Sequence, residues 1–93
     1  MTESKVHSVT IVVQHISESG QKPYRVVAYS DKRNYGKAEF DSLDHLRRAL
    51  LAIPVLAEQV PTSEKAREHT YIIFRSIVDL TDSQLAQIGL NPS

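Results

Sequence analysis

The segment from Phe40 to Ile53 constrains the fold most, because one helical period runs through it without a conflicting residue. Asp41 can act as the N-cap of a helix, and Asp44 takes the place of the usual glutamate of a capping box. A helix with a single apolar stripe has to cover another layer, so the segment predicts a helix packed on a sheet. The stripe recurs at steps of three and four residues: Leu43, Leu46, Leu50 and Ile53.

The residues before this helix show the alternation and the turn clusters of antiparallel strands. Val6 to Ile16 is rich in β-branched residues, and its odd-numbered positions are expected to face the core. Turn-forming residues then separate it from a second strand, Tyr24 to Ser30, which predicts a hairpin. A second turn cluster, Asp31 to Gly36, precedes a short strand from Lys37 to Phe40.

Pro54 should end the helix, because proline lacks the amide donor and disfavours α geometry in the residue before it. The apolar spacing nevertheless continues to Val60, so we expect either a kink or a second short helix with Pro54 at its first position. The residues from Thr70 to Leu80 then form the most apolar strand of the chain, with largely apolar side chains on both faces.

The last element, Asp82 to Ile88, has the sharpest local signals for a helix. Thr81 and Gln84 match a capping box at its start, and Gly89 and Leu90 match a Schellman ending. The whole pattern predicts a single α+β domain, a two-layer sandwich with helices on one face of a mainly antiparallel sheet. The predicted chain order is β-β-β(short)-α-β-α.

Composition limits the classes of function. The 93 residues are 41% hydrophobic and 24% charged, which is typical of one soluble globular domain, and no apolar run predicts a signal peptide or a membrane span. A cytoplasmic protein without membrane contact is therefore expected. The 11 basic and 11 acidic residues balance, so the chain lacks the broad positive field of most nucleic-acid-binding domains. There is no cysteine to form a disulfide or a thiolate.

No pattern of catalytic or metal-binding residues stands out. The four histidines do not occur at the paired spacings of metal ligands, and no serine lies in a Gly-x-Ser-x-Gly elbow. We therefore expect a protein without catalytic residues, cofactor or metal that works by binding. A small enzyme or ligand-binding protein whose site cannot be recognised from the sequence is an alternative.

A basic turn offers a second alternative, nucleic-acid binding. Lys32, Arg33 and Lys37 flank Tyr35 in the second turn cluster. If these four side chains share one surface, the cations could hold phosphates while the tyrosine stacks on a base. Charged residues are also common at hairpin tips, because such tips lie in water.

The predicted sheet has a second apolar face that the helices leave open. On the last strand this face would present Tyr71, Ile73, Arg75 and Ile77, whereas Ile72 and Phe74 would face the helices. Exposed apolar patches of this kind mark protein interfaces, in which aromatic residues and arginine are enriched. The sequence thus favours a homodimer, or a complex with another protein, formed through these four residues. The alternative is that the continuation to Val60 or the last helix covers the face within one chain.

Overall fold

A computed structural model describes residues 6–16, 23–62 and 72–91 of the chain. Its four strands form one antiparallel sheet in the order β3-β2-β1-β4. The α+β architecture predicted from the sequence is confirmed. Along the chain the elements are β1 (Val6–His15), β2 (Tyr24–Tyr29), β3 (Asn34–Phe40), α1 (Leu43–Ala49), α2 (Pro54–Ala57), β4 (Ile72–Thr81) and α3 (Asp82–Ile88).

The core lies between one face of the sheet and the helices. The odd-numbered residues Val9, Ile11 and Val13 of β1 are buried there, as their alternation predicts. The predicted stripe of the first helix packs onto the same core. No helix in the described ranges is long and apolar enough to cross a membrane.

The first helix begins one residue later than the sequence predicts. Its N-cap is Ser42, whose hydroxyl accepts a hydrogen bond of 3.1 Å from the backbone N–H of His45, and not Asp41. Asp41 instead contacts the His45 ring nitrogen Nδ1 at 3.1 Å. That hydrogen bond lowers the pKa of the Asp41 carboxyl below its ordinary value. Both residue types cap helices well, so the pattern alone did not discriminate between these neighbours.

Pro54 starts a second helix, as one of the two sequence-based expectations states. The first helix ends at Ala49 with Leu50 as its C-cap, and Pro54 occupies the first position of α2, where its missing N–H costs no helical hydrogen bond. Ile53, Leu56 and Val60 are all buried. The apolar stripe thus continues across the break on the same side of the molecule.

The third strand is longer than predicted and contains a β-bulge. The turn spans Ser30 to Arg33, closed by a 2.8 Å hydrogen bond, so β3 begins at Asn34 and not at Lys37. Within β3, Tyr35 and Gly36 together face the single residue Ala28 of β2. Gly36 has a φ of +92°, a conformation that glycine adopts without a steric penalty.

A second bulge changes the facing of residues at the start of β4. Val13 pairs with Phe74, but the next residue of β1, Gln14, pairs with Ile72. Ile73 is therefore an extra residue, and it packs against the core. Simple alternation predicted that Ile72 faces the core and Ile73 the outer face. This prediction is wrong, because one inserted residue moves the residues beyond it to the opposite face of the sheet.

The two ends of α3 match the sequence signals. Thr81 and Gln84 form the capping box. The N–H of Leu90 donates to the carbonyl of Leu85 at 2.9 Å and that of Gly89 to Ala86 at 3.0 Å, which is the Schellman pattern. Gly89 has a φ of +107°, and a Cβ added to it would lie 3.2 Å from the Cβ of Ala38.

We expect Gly89→Ala to be more destabilising than Gly36→Ala. Each substitution puts a side chain on a left-handed residue, which lowers the free energy of unfolding by about 1–2 kcal/mol. At Gly89 the contact with Ala38 adds a steric cost, whereas a Cβ at Gly36 meets nothing within 4 Å. Urea unfolding of both variants measures the difference. Equal destabilisation would show that the α3 end is not packed against Ala38.

Candidate functional site

The side of the sheet opposite the helices, called the outer face here, is the candidate interaction surface. It carries the even-numbered residues of β1, the odd-numbered residues of β2, and Arg75, Ile77 and Asp79 of β4. In the described ranges the helices pack on the other side. The outer face is therefore the surface through which this sheet can meet a second molecule.

Charged and apolar side chains occupy different parts of the outer face. Toward β3, Glu39 forms ion pairs with Arg25 at 3.1 Å and with Lys37 at 3.7 Å. Toward β4, the side chain of Ile77 is 75% exposed and Val6 is also exposed. The charged side chains of the outer face are thus paired at the β3 side, while its exposed apolar surface is greatest near β4.

The two edges of the sheet differ in how they are protected. The β3 edge is interrupted by the bulge at Gly36 and carries the charged pair Lys37 and Glu39, features that discourage pairing with another strand. β4 is a strand of ten residues that pairs only with β1 among the described strands. From Phe74 onward its register with β1 is regular. This regular edge, with Ile77 near its centre, is the less protected one.

The structure brings together only part of the interface predicted from the sequence. Arg75 and Ile77 lie on the outer face and are exposed. Ile73 packs against the core instead, because of the β4 bulge, and Tyr71 lies outside the described residues. Asp79 was missed, although it follows the same alternation as Arg75 and Ile77 and could have been identified from it.

Three residues of the predicted basic turn, Lys32, Arg33 and Tyr35, line one open cleft, whereas Lys37 lies on the outer face. The Tyr35 side chain is only 4% exposed, so its ring is not available to stack on a base. Arg33 lies over this ring at 4.6 Å and donates to the carbonyl of Asn91 at 3.4 Å. Lys37 projects from the outer face toward Glu39, and Lys32 is exposed at the turn itself.

A polar cluster at the start of β1 was not predicted from the sequence. His7 contacts the Asp82 carboxylate through Nε2 at 2.5 Å and the Tyr35 hydroxyl through Nδ1 at 3.3 Å. If Nε2 donates to the carboxylate, Nδ1 accepts from the hydroxyl. These residues are 75 and 28 positions apart in the chain, so no local pattern could have paired them.

This cluster borders an open cleft of about 680 Å³, formed by the start of β1, the turn before β3, and Ile77. In the cluster, His7 forms hydrogen bonds with both Asp82 and Tyr35, and these contacts connect β1, β3 and the first turn of α3. Because Tyr35 is buried, the cluster is better placed to hold the three elements together than to carry out acid–base chemistry on a bound substrate. No group of three or more potential metal ligands occurs among the described residues.

Comparison with known protein families, curated sequences and solved structures finds no match. The proposed function therefore depends on the geometry and chemistry of the surfaces described above.

We expect Tyr35→Phe to lower the free energy of unfolding by about 1 kcal/mol, since it removes the hydroxyl that contacts His7. The matched control is Tyr29→Phe, because Tyr29 is on the outer face and partly exposed. Chemical denaturation of the two variants measures both effects. If the control is equally destabilised, the hydroxyl of Tyr35 contributes nothing specific.

Proposed function

We propose that this chain is a non-catalytic module that binds a second copy of itself through the β4 side of the outer face. The observation that carries the proposal is Ile77, an isoleucine 75% exposed on a regular edge strand. Soluble proteins usually protect such an edge with charges, bulges or a covering element. A second copy would cover both the apolar side chain and the edge.

The energetics support an association of moderate strength. Three apolar side chains of the outer face are at least partly exposed on β1 and β4: Val6, Ile72 and Ile77. An edge-to-edge partner would cover mainly the part of this surface around Ile77. At about 25 cal/mol per Å² of apolar surface, that burial in both copies contributes on the order of a few kcal/mol before the entropy of association is subtracted. A two-fold dimer is also the commonest assembly of soluble chains, and it buries the same patch twice.

The surfaces support nucleic-acid binding less well. The tyrosine that would stack on a base is buried, and Lys37 faces an acidic neighbour. The chain as a whole has no excess of positive charge to attract a phosphate backbone. The apolar β4 side therefore supports a protein partner better than the basic turn supports RNA or DNA.

Sedimentation velocity across micromolar concentrations tests the proposal. The unmodified chain should dimerise, whereas Ile77→Lys should remain monomeric and folded, because it would place two ammonium groups at the interface. Leu51→Lys is the matched control: Leu51 is 61% exposed, but it lies in the connection between α1 and α2. This control should dimerise like the unmodified chain.

Two results would contradict the proposal. One is an unmodified chain that stays monomeric at all concentrations. The other is a dimer that Ile77→Lys leaves intact while the fold is preserved by circular dichroism. A monomer that instead binds a different protein in an Ile77-dependent manner would show that the surface is an interface but not for self-association.

A further inference from the structure

We propose that the two copies join edge to edge, with β4 antiparallel to β4 of the second copy and the two-fold axis at Ile77. This inference rests on the proposed self-association and specifies its geometry. The two sheets of four strands would then form one continuous sheet of eight. The backbone N–H and C=O groups at the edge of β4 would gain hydrogen-bonding partners.

The order of side chains along β4 is self-complementary about Ile77. Arg75, Ile77 and Asp79 lie on the outer face at intervals of two residues, with opposite charges on either side of the isoleucine. In an antiparallel pair centred at Ile77, the two isoleucines meet at the axis. Each Arg75 then faces Asp79 of the second copy, at the separation where cross-strand ion pairs form.

Other registers lose this match. Moving the axis by one residue places Ile77 opposite Arg75 in one direction and opposite Asp79 in the other. Either shift sets a charged group against an isoleucine and removes both ion pairs. Centring on Ile77 therefore combines apolar contact at the axis with opposite charges on both sides.

The charges on β4 are available for such pairing. Neither Arg75 nor Asp79 forms an ion pair within the described part of the chain, and both residues are exposed. The outer-face charges on β2 and β3 differ, because Arg25 and Lys37 each already pair with Glu39.

Edge pairing also fits the outer face better than stacking two sheets face to face. A stacked dimer would bury the ion pairs of Glu39, and removing charges from water is costly. Edge pairing leaves them solvated. On the helix side of the sheet, the partly buried Phe74 and Val78 would face Leu80 and Ser76 of the second copy across the junction. Side chains on both faces of β4 would then contribute to the interface.

Charge reversal on β4 tests the register. Arg75→Asp would set two carboxylates against each other at both ends of the junction, and Asp79→Arg would do the same with two guanidinium groups. Each single variant should weaken the dimer by roughly tenfold to a hundredfold. The double variant Arg75→Asp/Asp79→Arg should restore the affinity. An equimolar mixture of the two single variants should form a heterodimer, because every facing pair is then opposite in charge.

Lys32→Asp controls for the change in net charge, since Lys32 is exposed at the turn before β3. It should leave the dimer intact. If the unmodified chain dimerises and Ile77→Lys disrupts it, but neither the double variant nor the mixture recovers affinity, the register proposed here is wrong while self-association stands. If the unmodified chain does not dimerise, both proposals fail.

Discussion

The antiparallel pairing of β1 with β4 is the interaction on which the rest of the structure depends. It joins the first described strand to the last, and so brings His7 beside Asp82 at the start of α3. It also places β4 at one edge of the sheet, next to β1, and α3 follows directly from this edge strand. Such a contact between distant segments forms only after a long loop is closed, and it defines both the core and the edge.

The same pairing explains why the candidate site lies where it does. Because β1 occupies one side of β4, the other side is an edge of the sheet among the described strands. The register with β1 directs Arg75, Ile77 and Asp79 away from the helices. The opposite face of β4 packs against the core, where Leu80 is buried. The way the last strand completes the fold thus sets the position of the surface proposed for self-association.

Local signals in the sequence predicted local structure well. The α3 helix has the predicted bounds because its capping box and glycine ending depend on neighbouring residues. The bulges at Gly36 and Ile73 could not be predicted in this way, since one inserted residue leaves the apolar composition of a strand unchanged while altering the facing of its residues. The strand order and the contact of His7 with Asp82 depend on long-range pairing, which no local pattern specifies.

The positions of the candidate site residues were predictable only where the alternation of β4 is not interrupted by its bulge. Alternation placed Arg75 and Ile77 correctly, and extending it by two residues would have added Asp79. The bulge explains why Ile73 packs against the core. It also explains why Ile72, which the alternation assigned to the core, pairs on the outer face.

Amide hydrogen exchange of β4, followed by NMR at low and high protein concentration, tests the central claim most directly. If a second copy pairs with this edge, the β4 amides not bonded to β1 should exchange at least about tenfold more slowly at high concentration. The amides at the β3 edge should exchange at the same rate at both concentrations and serve as the internal reference. Unchanged exchange along β4, or equal slowing at both edges, would contradict the account.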